Sequence, residues 1–246
     1  MRPPAGSLGA MNHHVLAATG LTKTYGPTVA LGGVSIAIGA RESVAVMGPS
    51  GSGKTTLLHC LAGILTPDRG EVLLQDGDTV RVDALGAERR SRLRRERFGF
   101  VFQQGLLLPE LTALENAALP LMLTGLARRE AETQAAGWLS QLGLAGLEDR
   151  RLGQLSGGQV QRVAIARSQA TNAVVTFADE PTGALDQQTS SEVLDALLQA
   201  TVGRGRTLVM VTHDEHVAAR CSRIVRLQDG QVISDSAPSQ PAGSPA

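Results

Sequence analysis

Aromatic side chains are almost missing from this sequence: one Trp, one Tyr and four Phe make up 2% of 246 residues. The core must therefore be aliphatic, and Tyr25 and Trp138 stand out in their surroundings. Cysteine is equally scarce. Cys60 and Cys221 are too few for a disulfide framework and read as reduced core fillers in a cytosolic protein. Charge is balanced, 23 basic residues against 23 acidic ones. That argues against a general nucleic-acid binder, which carries a basic excess. Long apolar runs are also lacking. No segment approaches the roughly 18 to 20 residues of a membrane span, so any membrane role must come through a partner. The opening "MRPPAGSLGAMNHHVLAATG" does not read as a signal peptide.

What is present is 42% apolar residues, enough for one large core or a core with a subdomain. Residues 1–13 are expected to be a disordered tail, with Met11 an alternative start. Residues 14–235 are the folded domain, and residues 236–246 a flexible tail. "LTKTYGPTVALGGVSIAIGARESVAVMG" reads as short strands broken by Gly. "GEVLLQDGDTV" and "RIVRLQDGQVISD" both carry an Asp-Gly hairpin signal. A Leu/Ala-rich stretch inside about 104–170 has helical spacing and reads as a helical insert in an α/β body. "AVVTFADE" and "RTLVMVTHD" suit buried parallel strands with functional ends, although Thr176 is a blemish in the first. The basic run at 88–99 reads as a solvated helix face, because acidic residues interleave it.

Three stretches carry chemistry. In "GPSGSGKTT", Gly48, Pro49, Ser50, Gly51, Ser52, Gly53, Lys54, Thr55 and Thr56 lie between a strand and a helix. Gly48, Gly53, Lys54 and Thr55 match the pattern of a phosphate cradle. Glycines let successive N–H groups turn inward, and the helix dipole adds positive potential. Lys54 would reach the β- and γ-phosphates of ATP, and the Thr55 hydroxyl would ligate Mg²⁺. "VVTFADEPTG" then sets Asp179 and Glu180 at the carboxyl edge of the sheet, where ligands of open α/β folds bind. Asp179 would hold the metal. Glu180, expected to point the other way on the strand, would polarise the attacking water. In "LSGGQVQRVAIAR", Ser156, Gly157 and Gly158 precede a helical pattern and form a second phosphate-type helix start. One nucleotide does not need two cradles in one chain, so two chains completing each other's site head to tail is the economical reading.

With these motifs the chain resembles the nucleotide-binding subunit of an ABC transporter over about residues 15–235. Further matches are "GFVFQQ", "GALD", "VTHD" and "LTKTYG". The resemblance implies a P-loop NTPase core with a mostly parallel sheet, an N-terminal antiparallel β subdomain, and an inserted helical subdomain carrying LSGGQ. It implies that Tyr25 stacks on adenine and that Gln103 contacts Mg²⁺ or the attacking water. It gives Asp186 to the D-loop, sets His213 on the γ-phosphate, and places Ser156, Gly157, Gly158 and Gln159 on the nucleotide of the opposite subunit. It also implies ATP hydrolysis by a homodimer, or a pair with a related ATPase, on the cytoplasmic face of the inner or plasma membrane. There the pair would be joined to an integral permease, with no nucleic acid involved.

"RLRRERFGFVFQQGLLLPELTALENAALPLML" resembles the subgroup serving lipoprotein release, macrolide or antimicrobial-peptide export, and cell division. A lipophilic or peptide cargo is expected, with a non-transport signalling ATPase as the alternative. "ARSQATNAVV" departs from the subgroup's usual residues, so helix–strand packing is expected to differ there. A DNA-repair ATPase would need a coiled-coil insert or a DNA-binding surface, and a translation factor of the superfamily would need two cassettes.

Overall fold

The structure is a computed structural model describing residues 14–103 and 106–236. Met11, the expected N-terminal tail and nearly all of the expected C-terminal one lie outside the described residues. The chain opens with two twelve-residue strands, β1 (His14–Tyr25) and β2 (Thr28–Gly39). They are longer than expected. The glycines do not break the strands but sit at or beside register shifts within them, Gly20 in β1 and Gly33 in β2. After β3 (Ser43–Met47), β4 (Arg69–Asp76) and β5 (Asp78–Arg81) join the first two in an antiparallel sheet of order β2-β1-β4-β5.

The larger sheet takes β3, β6 (Phe98–Phe102), β7 (Val175–Asp179), β8 (Thr207–Val211), β9 (Arg223–Gln228) and β10 (Gln231–Asp235). Its order is β10-β9-β3-β8-β7-β6, parallel except for β10. Both Asp-Gly hairpins form, with Gly77 and the pair Asp229–Gly230 at positive φ. Ser236, expected in the tail, still bonds both ways with Ile224. β3 and β8 are buried at every residue, as their unbroken apolar runs require of strands covered on both faces.

Two aliphatic cores sandwich this sheet. On one face α1 (Lys54–Leu61) and the antiparallel sheet bury Leu16, Leu21, Ile38, Leu57 and Leu61. The other face carries α3 (Ala113–Leu123), α4 (Arg128–Gln141), α5 (Gly157–Gln169) and α6 (Gln187–Ala200), with Ala117, Leu139, Ile165 and Leu197 inside. The scarce rings are not scattered. All four phenylalanines lie on β6 and β7, where Phe98 meets Phe177 edge-on at 5.2 Å and Phe100 stacks on Phe102 and Phe177 at 5.8 Å. The basic run forms α2 (Ala87–Arg97), none of whose residues is buried. Among the described residues no helix is long and apolar enough to cross a membrane.

"ELTALEN" now has a physical reading. Thr112 and Glu115 close a capping box on α3. Fully buried Asn116 clamps the preceding loop, accepting from Leu108 N at 2.8 Å and donating to the carbonyls of Leu108, Leu111 and Thr112.

Thr176 is not a defect. Gln169, 2% exposed, donates to Thr176 Oγ1 at 2.9 Å and to Ser168 Oγ at 3.0 Å, and Ser168 donates onward to Ile165 O. The unusual "SQ" of "ARSQATNAVV" thus supplies the partners that a buried threonine needs. Thr176→Val should leave a buried amide donor unpaired and lower stability by about 1–3 kcal/mol. Thr176→Val with Gln169→Leu should recover much of that loss. Urea unfolding of both variants checks this, and equal losses would refute it.

Candidate functional site

Register gathers the site. Phe102 pairs Asp179, Asp179 pairs Val211, and Val211 pairs Val46, so four parallel strands end on one row. Past that row the chain presents Gln103 after β6, Glu180 after β7, His213 after β8 and the Gly48–Thr55 loop after β3. This is the carboxyl edge where α/β folds bind ligands.

The loop is glycine-rich for two separate reasons. Gly48, Gly51 and Gly53 have φ of 151°, 80° and 98°, which side chains rarely adopt. A Cβ on Gly48 would also lie 2.1 Å from Leu227 O, and one on Gly53 2.2 Å from Ala30 O. The β9–β10 turn braces the loop, Gly230 N donating to Ser52 O at 3.1 Å. Pro49 O accepts from Ser52 N at 3.2 Å, Ser50 and Gly51 stand exposed at the tip, and Thr56 sits in the first turn of α1. The first intrahelical bond, Leu57 N to Gly53 O, leaves earlier amides without an intrahelical acceptor. Lys54 Nζ donates to Gly48 O and Pro49 O, both at 2.8 Å, so its ammonium lies over the loop.

Thr55 and Asp179, predicted to share a metal, are brought together: the Thr55 hydroxyl donates to Asp179 Oδ2 at 3.2 Å. Burial pushes the Asp179 carboxyl above its ordinary range, outweighing the Thr55 bond and the nearby Lys54 and His59. A hydroxyl and a carboxylate are hard oxygen donors that suit Mg²⁺. Among the described residues no group of three or more His, Cys, Asp or Glu could hold a metal. The residues fit an ion completed by phosphate oxygens and water. The Ser52 hydroxyl, buried with no hydrogen-bond partner, fits the same bound anion.

Glu180 requires a correction. It does not point oppositely on the strand, because the strand ends at Asp179 and Glu180 has a φ of 47°. Its backbone N still donates to Val211 O at 2.9 Å. Its Oε1 lies 2.8 Å from His213 Nδ1. With Glu180 ionised, Nδ1 is the donor, which fixes the imidazole tautomer. Gln103 is exposed beside Gly183, whose added Cβ would lie 3.0 Å from Gln103 Nε2. Tyr25 ends β1 at 51% exposure, with Lys23 Nζ over its ring 5.9 Å from the centroid.

The second cradle stands apart. Ser156 caps α5, accepting from Gln159 N at 3.3 Å while Gln159 Oε1 accepts from Ser156 N. Ser156 and Gly157 are exposed, whereas Gly158 is buried against α6, where a Cβ would meet Thr189 Cγ2 at 2.5 Å. Asp186 caps α6 through Thr189 N, and its bonds to Thr189 lower its carboxyl pKa. Among the described residues no hydrogen bond joins Ser156 to the Lys54 loop. Sequence reasoning missed Gln161. It is 3% exposed and donates to Phe102 O at 3.0 Å, tying α5 to the strand end just before Gln103. Its place on the apolar side of α5 was the available signal.

These features define a P-loop nucleotide-binding cassette with a separate helix-start cradle. The family described as ABC transporter matches residues 31–183, and the chain belongs to that family as an ATP-binding, ATPase cassette. It is 41% identical over 228 residues to the lipoprotein-releasing system ATP-binding protein LolD of Legionella pneumophila, covering 91% of this chain and 99% of that one. It is 44% identical over 217 residues to the macrolide export ATP-binding/permease protein MacB of Hyphomonas neptunium, covering 88% of this chain. The chain spans about a third of the length of that relative and of the pyoverdine export protein PvdT. Among solved structures, the ATP-binding cassette MJ0796, a dimer bound to ADP and Pi, superimposes with a TM-score of 0.81 at 39% identity, covering 90% of this chain and 97% of that chain.

Neutralising Asp179 tests the metal pair. Its raised pKa means the protonated form favours folding, so stability falls as pH rises through that pKa. Asp179→Asn should keep or raise the melting temperature of the nucleotide-free protein at pH 7. Mg²⁺-dependent ATP binding should weaken about tenfold or more, as for loss of a metal ligand. A lower melting temperature with unchanged binding would contradict both expectations.

Proposed function

We propose that two copies of this chain, or this chain and a related cassette, join head to tail around two Mg·ATP and drive an integral membrane permease. The observation that carries this reading is the shared strand-end row, which collects Lys54, Thr55, Asp179, Glu180 and His213 while leaving the Ser156 cradle outside. In this reading the Gly48–Thr56 cradle holds the phosphates, Lys54 swings from the loop carbonyls to the β- and γ-oxygens, and Tyr25 stacks on adenine. Thr55 and Asp179, with Gln103 at the water side, hold Mg²⁺. The ion, when bound, neutralises charge developing on the phosphates.

Glu180 accepts the proton of the attacking water. His213, held by Glu180, faces the γ-phosphate. Ser156, Gly157, Gly158 and Gln159 reach the nucleotide of the other copy, with Asp186 at the same interface. Chain geometry supports this division. Ser156 and Gly157 are exposed, as contact with a partner requires, and Gly158 in addition lets α5 approach α6.

The permease would sit over the cavity between α2, β6 and α3, about 480 Å³. Leu106 and Leu123 line it and are 60% and 59% exposed. A chain so attached works at the cytoplasmic face of the inner or plasma membrane. The relatives are named for macrolide export, pyoverdine export and lipoprotein release, which supports a lipophilic or peptide cargo for this chain.

Two substitutions separate binding from chemistry. Glu180→Gln should keep ATP affinity and lower turnover about 10²-fold or more, the scale of a general base. Lys54→Ala should weaken ATP binding itself in calorimetry. Near-normal turnover in the first variant, or unchanged affinity in the second, removes that residue from its role. Coupling is tested by co-purification with the membrane protein encoded beside this chain. Turnover should rise in the complex; full activity alone and no association would set the permease reading aside.

A further inference from the structure

One contact outside the nucleotide site has an unusual construction. After α6 the chain makes a 3₁₀ turn, Val202–Arg204, before entering β8. The turn is rigidly founded. Thr201 is fully buried and donates through Oγ1 to Leu197 O at 2.6 Å, and its carbonyl accepts from Arg204 N at 2.9 Å and Arg206 N at 3.0 Å. From this base Arg204 reaches across to α4. Its guanidinium carbon lies 4.4 Å from the Trp138 ring centroid, and Nη2 donates to Gln141 Oε1.

Beneath the bridge is a cavity of about 730 Å³ lined by Trp138, Gly143, Arg162, Asp195, Gln199 and Arg204. Side-chain packing thus does not fill the space between α4 and α6, and Arg204 spans it. α4 otherwise rests on α3 and α5. From the cavity Arg162 Nε donates to Gly158 O at 3.4 Å, within the glycine pair of the second cradle.

We propose that Arg204 is a positioning residue for that cradle. By clasping Trp138 and Gln141, it ties α4, and with it α5 and Ser156, to the turn from which β8 runs toward His213. The inference rests on the reading that Ser156 completes the site of a second copy. It goes further by naming what holds Ser156 in place against the catalytic body. The nucleotide cradle of the same chain is built from other elements, so loosening the clasp should leave a chain's own nucleotide affinity alone while weakening pairing.

The test uses the full chain carrying Glu180→Gln, so that ATP is consumed slowly, and reads ATP-driven dimerisation by sedimentation. Arg204→Ala and Trp138→Ala should each raise the concentration for half-dimerisation about fivefold, with ATP affinity of the single chain changed less than twofold. The double variant should be no worse than either single change, because both remove one contact. Trp138→Phe, which keeps a ring, should stay near the parent. Trp138 is the only tryptophan, so its emission should shift in Arg204→Ala if the clasp forms in solution. Unchanged emission, unchanged dimerisation in both single variants, or additive losses would overturn the proposal. Ser156→Arg separates the two ideas. A dimer sensitive to it but not to Arg204→Ala sinks the clasp alone. A parent that never dimerises with ATP sinks the underlying reading and the clasp together.

Discussion

The register of four parallel strands is the constraint on which this site depends. Phe102, Asp179, Val211 and Val46 fall on one row, and each strand delivers its functional residue within two positions of that row. A slip of one residue in any pairing would move an end by about 3.3 Å and turn its side chains to the opposite face. Residues at a hydrogen-bonding site tolerate far less than that. The apolar runs of β3 and β8 cannot set register by alternation, because both of their faces are buried. Local braces do so instead. Thr212 N donates to Val46 O, Glu180 N to Val211 O, and Gln161 from α5 holds Phe102 O. At the β6 edge, three phenylalanines on β6 and the fourth on neighbouring β7 concentrate the chain's few rings where one neighbour is lacking.

The loop after β3 shows how far such bracing extends. Its glycines do more than supply unusual angles. Gly48 lies so close to Leu227 O, and Gly53 to Ala30 O, that any side chain would displace neighbouring backbone. The C-terminal hairpin, far along the chain, and β2, just before β3, therefore help shape the glycine loop. Gly32 N bonds Gly230 O, and Gly230 N bonds Ser52 O, making a chain of backbone contacts from β2 through the hairpin to the loop. The antiparallel sheet is thus more than a cover for one face of the core.

Much of this was legible in the sequence because the signals were local. The phosphate loop, the acidic strand end and the Ser156 helix start each combine a few residues with the element that follows them. The Asp-Gly hairpins are equally local, two positions that tolerate positive φ between strand patterns. Other features depended on contacts invisible to spacing. Gly20 and Gly33 read as strand breaks, yet register shifts absorb them within long strands. Thr176 read as a weak point, yet its partner Gln169 lies on the preceding helix. Glu180 was expected to continue the strand, but its positive φ is set by the turn that follows Asp179. No pattern of apolar residues reveals that change of backbone, and although Gln161 stands on the apolar side of α5, nothing in the pattern names its partner or marks Arg204 as a brace.

Two costs remain concentrated at the site. A non-glycine residue at positive φ, here Glu180, costs about 1–3 kcal/mol unless its surroundings impose it. Asp179 is desolvated enough to raise its pKa beside a second carboxylate. Folding alone would favour a neutral residue at Asp179 and an unstrained one at Glu180. The strand pairing imposes both, through the Asp179 pairings in the sheet and the Glu180 bond to Val211. A cation on Asp179 would relieve the first cost. The nucleotide-free cassette therefore holds a carboxylate that gains most when metal and phosphate arrive together.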